Sequence, residues 1–305
     1  MIIQRKQSMR HKTIQYNSYM ALLCLCTSFI SLQVLAGREP THETKPLIVT
    51  SIKPLAIIAK SAVADAADVE YLLPGNQAPH DFSPPASALR KMAKADMVLW
   101  VGPEFETASR KAIQRVPRAK RIAAMTLVEA HGDSGDAGTQ WLQHNHSATT
   151  DPHVWLSPDK ANDIAAEVQL RLGLPITPII SREQIAELTR ELAVAKDKTY
   201  LSHHDAYGHF AQAFGLAPGL SIKDASGEVQ GVKSQYQLRK NIASANISCV
   251  FFEPQYQDKD AAVIAGEFDL PLIELDLQGM SQPLQGNSYL EFISKLAGQF
   301  KACYQ

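Results

Sequence analysis

Cysteine is scarce in this chain of 305 residues: four in all, two of them (Cys24 and Cys26) inside an N-terminal apolar stretch. The other two, Cys249 and Cys303, have no second cysteine nearby, so a zinc site made by these two alone is not expected. An excess of basic charge is also missing. Thirty Lys and Arg stand against 31 Asp and Glu, a net charge of −1, which argues against a nucleic-acid binder working through a basic face. Beyond residue 36 there is no apolar run long enough to cross a bilayer, so the mature chain is expected to be soluble. Low-complexity tracts and short repeats are absent too. With 45% apolar and 20% charged residues, burying a core is easy, and the length suits about two domains.

Several catalytic signatures fall short. Gly132-Asp-Ser-Gly135 is part of a serine-protease segment without the all-β pattern around it. Gly227-Glu-Val-Gln-Gly231-Val-Lys233-Ser234 has its glycines one residue too close for a phosphate-binding loop. His42-Glu43 lacks the second histidine of a zincin helix. The chain is not expected to be an enzyme.

Residues 1–36 carry Arg5, Lys6, Arg10 and Lys12 and no acidic side chain. The apolar run from Met20 to Ala36 is short and interrupted by Thr27, Ser28, Ser31 and Gln33, which suits an export signal better than a permanent anchor. Val34-Leu35-Ala36 fits signal peptidase, so cleavage is expected near Ala36. Lipid attachment at Cys24 or Cys26 is disfavoured because Leu precedes each. The remaining 269 residues hold 26 basic and 31 acidic side chains. In an exported protein the remaining cysteine pair suggests a disulfide, Cys249 to Cys303. Closing about 54 residues would stabilise the fold by about 4 kcal/mol in the chain-entropy model and pin the last helix to a strand.

After the leader, strand and helix patterns alternate. Short apolar runs at 47–50, 69–73 and 97–101 read as strands. A helix follows Pro54, and another begins at Ser83-Pro-Pro-Ala, with proline in the first turn where its missing N–H costs nothing. Residues 130–152 read as a polar loop. Residues 161–172 and 181–198 have helical periodicity, the second with Ile185, Leu188, Leu192 and Ala195 on one face. The alternation then resumes, with strands near 199–202, 221–223, 247–252 and 272–275 and helices near 206–214, 235–245, 259–268 and 288–303. The expected fold class is α/β: an N-terminal lobe (37–160), a connecting helical segment (161–198) and a C-terminal lobe (199–305), each lobe a mostly parallel sheet flanked by helices. Ligands of such folds sit beyond the carboxyl ends of strands and between lobes.

Three of the nine histidines beyond the leader sit where a strand or loop hands over to a helix. They are His80 in Pro79-His-Asp-Phe-Ser-Pro84, His153 in Asp151-Pro-His-Val-Trp-Leu-Ser-Pro158, and His204 in Ser202-His-His-Asp-Ala-Tyr-Gly-His-Phe210. Neutral imidazole is the commonest protein ligand for zinc, and three from different loops leave one position for a carboxylate or water. Nearby Asp residues, Asp151 among them, are placed to hold a second ring nitrogen.

These segments carry a family resemblance. With Ser51-Ile-Lys-Pro54, Leu73-Pro-Gly75, Ala95-Asp-Met-Val-Leu-Trp-Val-Gly102, Cys249-Val-Phe-Phe-Glu-Pro-Gln255, Leu275-Asp276 and the terminal Cys303, the chain resembles the metal-specific solute-binding proteins of bacterial ABC importers, and most of all their zinc-specific, ZnuA-like members. The resemblance implies two lobes joined by a helix, with the metal in the cleft between them. It implies His80, His153 and His204 as ligands, with Asp276 at the family's acidic position. It also implies a Cys249–Cys303 disulfide, Zn²⁺ as the transported ligand, a periplasmic location and an inner-membrane ABC permease as partner. A monomer is expected, and no nucleic acid.

Three departures stand out. Pro79 occupies a position where some zinc members have Glu, which leaves Asp276 or water as fourth ligand. The link from 157 to 200 is shorter than usual. The family's His-rich loop is reduced to His131, Asp133, Asp136, His144 and His146, either a zinc-gathering loop or a solvated one. Manganese- or iron-carrying relatives typically have a carboxylate where His204 stands, and a third nitrogen donor favours zinc. The alternatives are a manganese or iron carrier, a surface adhesin on the same fold or, from another class, a secreted zinc hydrolase.

Overall fold

A computed structural model describes residues 45–75, 77, 79, 82–130, 151–228, 231–256 and 259–304. The expected leader, His80 and the loop holding His131, His144 and His146 lie outside these. The first half runs β1 (Leu47–Thr50), α1 (Lys53–Val63), β2 (Asp68–Tyr71), α2 (Ala86–Lys94), β3 (Met97–Trp100), α3 (Thr107–Ile113), β4 (Arg121–Ala123) and α4 (Ala124–Ala130). Its four strands are all parallel, in the order β2-β1-β3-β4. The central strands are apolar almost throughout because helices cover both faces of a parallel sheet; edge strand β2 instead alternates polar and apolar residues.

The second half repeats this plan. It runs β5 (Thr199–His204), α7 (Gly208–Phe214), β6 (Leu220–Lys223), α8 (Val232–Ser244), β7 (Ile247–Phe252), α9 (Asp260–Glu267), β8 (Leu272–Glu274) and α10 (Ser288–Ala302). Again all four strands are parallel, in the order β6-β5-β7-β8. Cys249 of β7 and Cys303, one residue past α10, form the disulfide, with Cα atoms 5.6 Å apart.

Between the halves lie α5 (Pro158–Arg171) and α6 (Arg182–Glu191), the latter running into a 3₁₀ turn, Leu192–Ala195. Ser157 caps α5 by accepting from the N–H of Lys160, and Pro158 occupies its first turn. The stop after α5 is local in origin: Gly173 is left-handed, at φ +67°, and Pro175 cannot continue a helix. Ser181 and Gln184 then form a capping box that starts α6. The side chains of Asn162 and Gln169 tie the intervening strip down through hydrogen bonds with Ile179, Ile180 and Thr177. The helix expected over 181–198 is thus shorter and ends in the tighter turn. Elements β4, α3 and α4, absent from the expected set, are short; β4 has a single fully buried side chain, Ile122.

One apolar core serves both halves, running from Ile48, Leu55 and Ile57 through Trp155 and Ile164 to Phe210, Phe251 and Phe300. Polar ties cross it. The Trp155 indole donates to the Leu277 carbonyl (3.1 Å), the Tyr289 hydroxyl donates to the Trp155 carbonyl (3.0 Å), and the Lys53 ammonium donates to the Met280 carbonyl (2.7 Å). The turn after Asp276 lies hard against α1. Gly279 adopts φ +58°, and a Cβ there would meet Ile57 Cδ1 at 2.6 Å, so only glycine fits.

Candidate metal centre

In each sheet the chain leaves a central strand first to one side and then to the other: β1 is flanked by β2 and β3, and β5 by β6 and β7. The carboxyl ends of such a strand pair open a crevice where α/β folds bind ligands. His204 is the last residue of β5, and Glu253 is the first after β7. The strands therefore deliver both to the second crevice. From the first half, His153 precedes the 3₁₀ turn Val154–Leu156, which leads directly into α5.

The two imidazoles meet. Their Nε2 atoms lie 3.2 Å apart, close to the roughly 3.3 Å edge of a tetrahedron with Zn–N bonds of about 2.0–2.1 Å. Each ring is held from behind by a carboxylate. His153 Nδ1 donates to Asp151 Oδ1 at 2.7 Å, and the same oxygen accepts the His153 backbone N–H at 3.0 Å. His204 Nδ1 donates to Glu253 Oε1 at 2.5 Å, while Gln255 donates to the other oxygen, Oε2, at 2.7 Å. Carboxylate partners keep the proton on Nδ1 and leave the facing Nε2 lone pairs for a cation, while making them better donors.

Burial sharpens the electrostatics. His153, His204 and Glu253 are all buried. Burial works to raise the Asp151 acid, but its hydrogen bonds from His153 and the nearby His153 and His209 rings outweigh this and hold it at about 2. Burial pulls the His204 ring down, yet the charge and hydrogen bond of Glu253 prevail and the net direction is up from 6.5. His209 donates from Nε2 to the Asp151 carbonyl at 3.0 Å, and burial lowers its pKa. Aromatic edges complete the cage: Phe105 and Trp155 lie against His153, and Tyr256 against His204. The cavity in front of the rings measures about 20 Å³, room for one water-sized guest.

The other expected residues are distributed as follows. His80 lies outside the described residues, although its neighbour Pro79 lines the cavity beside His153 and His204. Asp276 directly follows Leu275, and its neighbours Leu277 and Gln278 line the same cavity. Its carboxylate is engaged within its own turn, accepting the N–H groups of Met280 and Ser281 and the Ser281 hydroxyl at 3.0–3.1 Å. Its charge also raises the pKa of Lys53, against the stronger lowering by burial. The role of Glu253 is not among the sequence expectations, nor is the burial of His203 beside His204. A charged residue between a buried apolar strand and a proline, Phe252-Glu253-Pro254, was the available signal for the first. His203 lies beside a proposed ligand with no periodicity to single it out.

Comparison with known proteins bears on the family and the fold. The family described as zinc-uptake complex component A, periplasmic, matches residues 48–173 and 182–303, a break that coincides with the strip between α5 and α6. The high-affinity zinc uptake system protein ZnuA of Yersinia pestis is 30% identical over 298 residues, covering 87% of this chain and 93% of that protein. Its namesake in Haemophilus ducreyi is 29% identical, covering 84% and 92%. Among solved structures, a crystal structure of ZnuA superposes with a TM-score of 0.65 at 20% identity, covering 86% of this chain and all of that one; at that identity the likeness concerns the fold.

Proposed function

Because the chain belongs to the zinc-uptake complex component A periplasmic family, we propose that it captures Zn²⁺ in the periplasm and delivers it to an inner-membrane ABC permease. The observation that carries this function is the pair of Nε2 atoms 3.2 Å apart, each on a ring whose far nitrogen is bound to a carboxylate. His153 and His204 supply two nitrogen ligands. His80 supplies a third, on the strength of the resemblance and of Pro79 beside the cavity. The fourth position belongs to Asp276 or water, and the hydrogen bonds that engage Asp276 favour water. Nitrogen donors favour Zn²⁺ over Mn²⁺, which prefers oxygen.

Capture and release follow from where the ligands sit. His153 leads into α5 and His204 ends β5, so a bound ion bridges the two halves. Separating them at the membrane takes ligands away from the ion, which makes tight binding reversible. The chain acts as a monomer of two lobes, 37–160 and 199–305, joined by 161–198, after cleavage near Ala36. The segment holding His131, His144 and His146 is either a zinc-gathering loop or a solvated one.

Calorimetry on protein purified after export and freed of metal is the test. One tight Zn²⁺ site is expected, with most of its affinity lost in His153→Ala and in His204→Ala. Wild-type affinity in both variants would overturn the ligand assignment, and a preference for Mn²⁺ in direct competition would overturn the choice of ion.

A further inference from the structure

His204 has two ring nitrogens, and the structure surrounds both with metal-ligating groups. Nε2 faces His153. Nδ1 is hydrogen-bonded to Glu253, and ligand atoms of His203, His204 and Glu253 all lie within 4.8 Å of one another, against the roughly 3.3–3.5 Å that a tetrahedral zinc site requires. All three side chains are buried, at 2%, 3% and 1% exposure. Tyr256 lies against both imidazoles, with ring centroids 4.5 Å from His203 and 5.5 Å from His204, so the rings are already fixed in orientation.

Resting on the zinc-carrier function above, we propose that His203, His204 and Glu253 form a second, inner seat for Zn²⁺, occupied in exchange with the first when the two halves separate. The seats differ in origin. The outer pair takes one nitrogen from each half of the molecule. All three inner donors come from the second half alone, two from the end of β5 and one from just past β7. Separation removes His153 but leaves the inner donors together, so the ion has a place to wait on a single lobe before it leaves. The exchange is balanced: the Zn–Nε2 bond of His204 breaks as a Zn–Nδ1 bond forms, and the proton that Nδ1 gives up is taken by Nε2. Glu253 changes from a hydrogen-bond acceptor into an ion ligand. Two Zn²⁺ on opposite nitrogens of one imidazole would require the ring to lose its remaining N–H proton and would repel each other, so the seats fill one at a time.

The full-length mature chain carrying His153→Ala tests this, with Zn²⁺ affinity measured by chelator competition and Co²⁺ absorption as the probe of geometry. A single residual site is expected, weaker than wild type by more than the roughly 10–100-fold that loss of an outer partner costs. Adding His203→Phe, or separately His203→Gln, is expected to weaken the residual site at least about tenfold further and to change the Co²⁺ spectrum. His203→Gln keeps a polar side chain, so it decides the matter if His203→Phe fails to fold. A residual site indifferent to both substitutions, or no residual site at all, overturns the inner seat. Absence of Zn²⁺ binding by the wild-type chain overturns instead the carrier function on which it rests.

Discussion

At the crevice of the first sheet, the buried carboxylate of Glu106 accepts the backbone N–H groups of Val101 (2.7 Å) and Gly102 (3.2 Å) at the end of β3. At the crevice of the second, the buried carboxylate of Glu253 accepts Nδ1–H of His204. The two sheets share one strand order, and each keeps a glutamate beyond its third strand. Only the partner differs. Backbone amides donate to Glu106, whereas an imidazole donates to Glu253, at the crevice of the proposed site. Topology supplies the place, and the identity of the facing group decides whether that place holds structure or chemistry.

The comparison is broken most severely at His204. Because His204 serves both proposed seats and His153 only one, His204→Ala is expected to lose at least about ten times more Zn²⁺ affinity than His153→Ala, beyond the 10–100-fold of an outer-shell change; calorimetry on the two variants reads this directly. Equal losses would leave His204 no special place.

Next in size is the covalent tie, which only the second sheet has. Replacing Cys249 and Cys303 by Ser should lower stability by about 4 kcal/mol from the 54-residue separation. Denaturant melts of ion-free protein measure the loss. A change under about 1 kcal/mol would mean that packing of α10 alone secures this end.

The first crevice predicts a pH effect of its own. Burial, opposed by the Ser51 side chain and then by the backbone hydrogen bonds, raises Glu106 from 4.5 to about 7. The folded chain therefore holds a proton that the unfolded chain has lost between those values, so this group's contribution makes stability fall as pH rises from 4.5 to about 7. The total is about 3 kcal/mol. In Glu106→Gln that segment of the stability–pH curve should flatten, while Zn²⁺ affinity at neutral pH stays unchanged. A curve that keeps its wild-type slope would remove Glu106 from this account.

The smallest effect sharpens the contrast. Glu253→Gln should weaken Zn²⁺ binding about 10–100-fold, and Asp151→Asn should act similarly through His153. Glu253→Gln binding as tightly as Glu106→Gln would show that the two crevices do not differ in kind.

Much of the fold was legible because parallel strands buried on both faces read as uninterrupted apolar runs. The expected strand at 247–252 coincides with β7, and β5 was misjudged only at its end, where Ser202-His203-His204 continues the strand as polar but buried residues. A residue-by-residue pattern treats polarity as exposure and so ends the strand early. Elements as short as β4 contain too few residues for a period to show. Within the candidate site, His153 and His204 were recognisable from their places at element boundaries. Asp151 was visible as a local partner, two residues from His153. The bond between His204 and Glu253 spans 49 residues, a distance at which no local spacing signals a contact.

By itself the amino-acid sequence determined most of the strands and helices in order, the single cysteine pair beyond the leader and the histidines at element ends, since each of these depends on neighbouring residues along the chain. Only tertiary structure decided which nitrogen of each imidazole is left for a cation. That choice depends on which carboxylate sits behind the ring, and for His204 a separate strand of the same sheet brings the carboxylate there.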